Sequence, residues 1–253
     1  MSDGTAGEAA LEVSRETPAT PPVAAALFPA HRLALAERFA GILGGAGVTR
    51  GLIGPREAPR LWERHLLNCA VLAQVLPERA SVADIGSGAG LPGVVLAIAR
   101  PDVSITLIEP LLRRTTYLEQ VVAELCLDRV EVVRARAEAL HGARTFDVVT
   151  SRAVAPMSRL LGWSMPLVAP HGALVAMKGS SVTAELEDAA DILSDLGCAP
   201  PRVASLGAEL LTEPTVTVTV SWADFSRVSW PSARTSRPSP SSRGRPRRRG
   251  RSS

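Results

Sequence analysis

Ser81-Val82-Ala83-Asp84-Ile85-Gly86-Ser87-Gly88-Ala89-Gly90-Leu91-Pro92-Gly93 sets the architecture of this chain. Its first five residues are mostly apolar, which suits a short strand buried on both faces of a parallel sheet. Glycines 86, 88 and 90 then supply a turn in which positive φ carries little strain and a ligand approaches the backbone closely. Pro92 fits the first turn of a helix, where a missing N–H is harmless. Strand, glycine turn and helix in that order build a ligand crevice at the carboxyl end of the strand.

Downstream, apolar strand-like runs alternate with helical periodicity. Strands are expected over 104–108, 130–133, 146–151 and 172–177, with helices through Leu96 and Ala99 and over 112–125, 157–168 and 181–196. Residues 203–206 and 215–220 read as a closing pair of strands, the second with Thr/Val alternation. The alternation predicts a doubly wound, mostly parallel α/β sheet over 81–222, covered on both faces. Upstream, 28–80 is expected to form a small helical cap. One amphipathic helix covers 28–43 and ends at Gly44, Gly45 and Gly47. A second covers 56–76, with Leu61, Leu66, Leu67, Ala70, Val71 and Val75 facing inward.

The two ends differ in kind. Residues 1–27 are rich in Ala, Pro, Thr and Glu without periodicity and read as a disordered leader. They lack the basic and apolar regions of a signal peptide. No run approaches the ~18 apolar residues of a membrane span. Residues 223–253 read as a disordered basic tail rich in Arg, Ser and Pro. The stretch 231–253 holds eight arginines and no acid. The formal charge is +3, so residues 1–230 carry +3 − 8 = −5. The tail suits either a solubilising extension or an arm with non-specific affinity for RNA phosphates. Cys69, Cys126 and Cys198 follow no C-x-x-C spacing, and His31, His141 and His171 have no ligand company. No metal site or disulfide framework is expected, and a reducing cytoplasm fits.

Several residues stand where strands end, the place for chemistry in an open α/β sheet. Glu109 closes the second strand, about twenty residues past the glycine turn, where a carboxylate accepts ribose hydroxyls. Arg152 follows the fourth strand and points into the crevice, unless it forms a surface ion pair. Lys178 ends the fifth strand and is the one lysine among 28 basic residues, which suggests a need for a compact ammonium. His65 lies on the second cap helix near Arg64 and Asn68; a lone helical histidine is also a common structural residue. No G-x-S-x-G, no P-loop, no Pro-Cys and no Asn/Asp-Pro-Pro-aromatic sequence occurs after the fourth strand.

Two adenosine cofactors fit the crevice. Gly88 to Gly93 matches the dinucleotide pattern G-x-G-x-x-G. The longer run from Asp84 to Gly90 resembles the D-x-G-x-G-x-G signature of class I S-adenosylmethionine methyltransferases. A pyrophosphate needs N–H donors and positive potential, and the Asp84 carboxylate repels it. S-adenosylmethionine is cationic, so the same carboxylate favours it. That resemblance implies seven strands, the last antiparallel.

A narrower resemblance rests on Arg64-His65-Leu66-Leu67-Asn68, the Gly90-Leu91-Pro92-Gly93 close of the turn, Leu111 to Leu118, Ser151-Arg152-Ala153 and Lys178-Gly179. Together they resemble the glucose-inhibited division protein B family of ribosomal RNA small-subunit methyltransferases. The run Glu109-Pro110-Leu111-Leu112-Arg113-Arg114-Thr115 is similar to its actinobacterial members. The resemblance covers about residues 30–222 and implies methyl transfer from S-adenosylmethionine to N7 of a guanine in 16S ribosomal RNA. It implies cofactor contacts at Gly86, Leu91, Ala137, Glu138 and Arg152, to which the charge, ribose and glycine-turn arguments add Asp84, Glu109 and Gly88. Arg152, Lys178 and His65 are the catalytic candidates, and Arg64, Arg113, Arg114 and Lys178 the candidates for RNA contact. A cytoplasmic monomer acting on the small ribosomal subunit or its precursor is the expectation.

Overall fold

The structure is a computed structural model and describes residues 11–14, 17–152 and 154–224. The cap begins with α1 (Ala24–Leu27), a 3-10 turn Ala30–Arg32 and α2 (Leu33–Ile42). Ala36, Phe39 and Ala40 are buried at the spacing the sequence predicts. The glycines at 44, 45 and 47 do not end this helix, contrary to expectation. It widens into a π-helical turn, Leu43–Gly47, and continues.

The reason lies in the leader. Ala46 N–H donates to the Glu12 carbonyl at 2.9 Å, and Ser14 N–H donates to the Gly41 carbonyl at 3.0 Å. A Cβ at Gly45 would lie 2.8 Å from Ser14 N and closer still to the Glu12 carbonyl. The glycine face is therefore a seat for residues 12–14, and Leu11 beside them is buried. Over its described residues, the leader expected to be disordered is packed chain. The cap also begins before residue 28, at α1.

The second cap helix is helical throughout but not uniform. A 3-10 turn Ala58–Arg60, a π turn Trp62–Leu66, α3 (Leu67–Ala70) and a 3-10 turn Val71–Val75 follow one another. Leu61, Leu66, Leu67, Ala70 and Val71 are buried as predicted, whereas Val75 is exposed. The change of pitch at the last turn rotates it off the buried face.

The sheet domain then runs β1 (Ser81–Ile85), α4 (Gly93–Ala99), β2 (Ser104–Ile108), α5 (Leu112–Glu124), β3 (Val130–Val133) and β4 (Phe146–Arg152). It continues α6 (Met157–Ser164), β5 (Val168–Met177), α7 (Val182–Glu187), α8 (Ala190–Asp195), β6 (Arg202–Leu206) and β7 (Thr215–Ser221). The strand order is β3-β2-β1-β4-β5-β7-β6. β1 to β5 are parallel, and β7 is antiparallel to both its neighbours. Two differences from the sequence reading are local: β5 begins at Val168 rather than 172, and the helix expected over 181–196 is interrupted at 188–189.

Both faces are covered. Val82 of β1 joins an apolar cluster with the cap, α4 and α5, while Ala83 and Ile85 join a second cluster with α6 and α8. The chain reverses its winding between β1 and β4, so the crevice opens at the carboxyl ends of β1, β2 and β4. At the end, Trp222 bridges Cys198 and Ala223 N–H donates to the Gly197 carbonyl at 3.0 Å, so the sheet's pairing reaches into the expected tail. Residues 225–253 lie outside the described residues. No helix among the described residues is long and apolar enough to cross a membrane.

The seating of the leader is testable. Gly45→Ala should destabilise the protein by about 1–3 kcal/mol through overpacking against residues 12–14. Limited proteolysis should cut within residues 11–20 faster than in wild type. Unchanged melting and unchanged cleavage would mean the glycines serve another purpose.

Candidate active site

β1 ends in a turn with positive φ at Gly86, Gly88 and Gly90, at 70°, 53° and 91°. Gly86 N–H donates to the Ile108 carbonyl at 2.8 Å, which fastens the turn to the end of β2. Beneath the turn lies Asp84, fully buried. Its Oδ2 accepts the Gly93 N–H at 3.0 Å, and Oδ1 has no hydrogen-bond partner among the described residues. A Cβ at Gly93 would lie 2.7 Å from that Oδ2, so only glycine lets α4 come this close to β1. Burial pushes the Asp84 carboxyl up from 3.8 to about 7, against the Gly93 amide, which lowers it. Asp84 does not line the cavity above. In this structure the carboxyl expected from sequence to contact the cofactor anchors the turn from below through Gly93.

Above the turn opens a cavity of about 580 Å³. Gly86, Ser87, Gly88, Ala89 and Leu91 form one wall, and Leu52, Ile53 and His65 of the cap face them. Glu109 lies on its floor, 1% exposed. Glu109 is therefore a buried strand-end acid and not a solvated one. Its Oε2 accepts the Gly88 N–H at 3.1 Å, its Oε1 accepts the Leu111 N–H at 3.1 Å, and Arg114 Nη1 lies 3.5 Å from Oε2. Each carboxylate oxygen has two lone pairs, so acceptor capacity remains.

A second cavity of about 300 Å³ adjoins the first and shares Gly86, Pro110 and Val154 with it. Ile85, Ile108, Ala135, Ala137 and Trp163 make it largely apolar, with Arg136 and Glu138 also lining it. Ala137 and Glu138 thus come to the same cleft as Gly86. The whole cleft is a wide half of mixed polar and apolar lining joined to a smaller, largely apolar half.

Arg152 ends β4 and lines the wide half. Its Nη2 donates to His65 Nδ1 at 2.5 Å and to the Arg64 carbonyl at 3.2 Å, and Nη1 lies 3.7 Å from Cys69 Sγ. His65 Nε2 is 3.3 Å from Glu57 Oε2, close enough to feel its charge but outside hydrogen-bond geometry. Burial first, and Arg152 second, push the His65 ring down from 6.5 to about 4. His65 is therefore neutral near pH 7, with Nδ1 free to accept from the guanidinium. The Cys69 thiol is pushed up to about 11 by burial and stays a thiol.

Lys178 belongs elsewhere. Its Nζ is buried and donates to the Ala155 carbonyl and to Glu185 Oε2, both at 2.8 Å. Glu185 also accepts the Met157 N–H at 3.0 Å, and Lys178 holds its carboxyl below the usual range. The need for a compact ammonium is structural: it ties β5 to the starts of α6 and α7. Lys178, a catalytic and RNA-contact candidate from sequence, lines neither cavity and is engaged in this tie. Arg64 approaches the same carboxylate as His65, 3.7 Å from Glu57 Oε1, and lines neither half of the cleft, while Arg113 is exposed beside the cavity mouth. Sequence reasoning missed Leu52, Ile53, Val154 and Trp163 in the lining and Glu57 behind His65. An apolar pair set between Gly51 and Gly54 was the one signal for the first two.

Comparison with known proteins fits this geometry. The sequence model of the GidB family, rRNA small subunit methyltransferase G, matches residues 32–211. The chain belongs to that family. A ribosomal RNA small subunit methyltransferase G of Nocardioides sp. is 69% identical over 222 residues, covering 88% of this chain and 89% of its own. One from Salinispora tropica is 49% identical over 242 residues, covering 91% and 97%. Among solved structures, an S-adenosylmethionine-dependent O-methyltransferase from Thermotoga maritima is 14% identical with TM-score 0.48, covering 62% of this chain and 64% of its own.

The buried Asp84 charge gives a signed pH dependence. Its carboxyl titrates at about 7 in the folded chain and at 3.8 when unperturbed. The folded state therefore binds a proton more tightly between those values, and stability falls as pH rises through that window. Asp84→Asn keeps an acceptor for Gly93 and never ionises. Its melting temperature minus that of wild type should grow from pH 5 to pH 8. A difference that stays constant over that range would remove the titration from Asp84.

Proposed function

We propose that the protein transfers a methyl group from S-adenosylmethionine to N7 of a guanine in 16S ribosomal RNA. The observation that carries this reading is the two-part cleft: carboxylates under and beside a glycine turn, next to an apolar slot, in a chain of this family. The residues fit the cofactor. Glu109 keeps lone pairs for the ribose hydroxyls, and the slot at Ala137 and Glu138 suits a flat adenine ring. Gly86, Gly88 and Leu91 border the wide half, and the negative charge of Asp84 below favours a cation there. When bound, S-adenosylmethionine supplies an electrophilic methyl on a sulfonium.

The chain's own part is binding and alignment. Guanine N7 carries a free lone pair, so no side chain has to remove a proton before attack. That suits a site whose histidine is neutral and engaged and whose cysteine stays a thiol. Alignment of the reacting atoms is then the main source of rate. Arg152 must not donate to N7, because that would occupy the attacking lone pair. Its fork suits the neighbouring O6, or a phosphate. His65 and the Arg64 carbonyl hold the guanidinium, so it arrives with little orientational freedom left to lose. Leu52, Ile53, Leu111 and Val154 exclude water around the donor. Arg64, Arg113 and Arg114 offer positive charge for the RNA backbone. Action on ribosomal RNA implies the cytoplasm.

A dinucleotide oxidoreductase is the competing reading of the glycine pattern. It is disfavoured by the buried Asp84 carboxyl beneath the turn that would receive the pyrophosphate, whereas Glu109 suits the ribose of either cofactor. Nucleoside mass spectrometry of 16S RNA from a deletion strain decides the matter. One 7-methylguanine should be missing, should return with the intact gene, and should not return with Arg152→Ala. Persistence of every such mark in the deletion strain would overturn the proposal.

A further inference from the structure

Five large apolar side chains are exposed among the described residues: Val75, Leu111, Leu112, Val154 and Val203. Three of the five stand at the mouth of the larger cavity. Leu111 and Val154 line it, and Leu112 follows Leu111 outside the lining. Leu112 is the most exposed of all, at 61%. Two adjacent leucines turned to solvent contribute little to folding.

The start of α5 breaks local rules in other ways. Leu111 at the N-cap makes no side-chain cap, and the first turn has no acid. Arg113 and Arg114 occupy it instead. A helix N-terminus carries partial positive charge and favours a capping oxygen and acids, so this choice costs local stability. The arginines are also organised. Arg113 Nη2 donates to the Arg50 carbonyl at 2.8 Å, and the Arg50 guanidinium lies 5.6 Å from the Tyr117 ring centroid. Arg114 reaches Glu109 at the cavity floor. An apolar knob therefore rises at the rim with three guanidinium-bearing residues around its base.

We propose that Leu112, backed by Leu111, is a wedge that enters the RNA base stack and fills the space left when the target guanine turns into the cavity. The inference rests on the ribosomal RNA reading of the same site. Its occupant is RNA for two reasons. The surrounding guanidinium groups complement phosphate. A base that reacts inside a pocket must leave its stack, and apolar side chains inserted between base steps offset the unstacking. Leu112, outside the cavity lining, acts on the base step beside the target and not on the cofactor.

Unmethylated 16S RNA from a deletion strain is the probe. Leu112→Ala should melt as wild type does, since the side chain is exposed, and should bind S-adenosylmethionine with unchanged affinity in calorimetry. Its kcat/KM for methylation should fall by about tenfold or more, the lost compensation for unstacking. Leu112→Phe, large and apolar, should restore most of the rate. The salt dependence of RNA binding should keep its slope in Leu112→Ala but flatten by roughly 0.7–0.9 in Arg113→Ala, where a phosphate contact is lost. Wild-type methylation by Leu112→Ala overturns the wedge. So does weakened cofactor binding in that variant, which would make Leu112 part of the cofactor site. Loss of binding to phosphatidylserine vesicles with methylation intact would assign the knob to a lipid surface instead. A wild-type protein that methylates no 16S RNA at all defeats the function reading itself, whatever residue stands at 112.

Discussion

The hydrogen bond from Gly93 N–H to the buried Asp84 carboxylate is the constraint on which the rest of the site depends. It fixes where α4 starts relative to β1, and so the path of the seven residues between them. It also requires glycine at 93, because any Cβ there would press on the carboxylate that makes the bond. A carboxylate taken wholly out of water is costly, and the raised Asp84 titration is the sign of that cost. When ionised, this carboxyl places negative charge directly below a turn whose upper side borders the cavity. Asp84 and Glu109 act on the turn from two sides, one through Gly93 and one through Gly88. Neither carboxylate carries out bond chemistry. Both set the shape and the sign of the place where a cationic cofactor would lie.

The cap is joined to this site by a second chain of contacts. Arg152 from the end of β4 reaches across to His65 and the Arg64 carbonyl, both in the π turn of the cap, and Glu57 stands behind the imidazole. The widened turn and the neutral ring thus belong to one arrangement. Desolvation keeps the imidazole uncharged, and an uncharged imidazole is what a guanidinium needs as an acceptor. The cap holds Arg152 in place as well as covering the sheet. Leu52 and Ile53, on the loop that leads into it, add an apolar wall.

Much of this was legible in the sequence because it depends on local rules. The run from Ser81 to Gly93 gave strand, turn and helix through glycine spacing, and the alternation beyond it gave the parallel order. The side chains at strand ends were found where an open α/β sheet puts them, which is why Glu109 and Arg152 line the cavity as expected. Lys178 shows the limit. Its rarity drew attention to it, but only the tertiary structure shows its ammonium bonded to Ala155 and Glu185. Asp84 was placed beside the ligand, whereas it faces the other way, toward Gly93. The glycines at 44 and 45 were read as a helix stop because their partner, the backbone of residues 12–14, comes from a segment with no periodicity of its own. In each case the missing information was a contact between residues distant in sequence or a side chain's direction, neither of which spacing encodes.

The central claim is that the glycine turn between β1 and α4 holds S-adenosylmethionine. Calorimetric titration of the protein with S-adenosylmethionine, and in parallel with NAD, tests it most directly. The account predicts one S-adenosylmethionine per chain, no heat with NAD, and no binding by a Gly86→Val variant whose circular dichroism matches wild type. At Gly86, φ is 70° and an added Cβ would lie 2.8 Å from Val154, at the junction of the two halves of the cleft. Tight NAD binding without S-adenosylmethionine binding, or wild-type affinity in the folded valine variant, would contradict it.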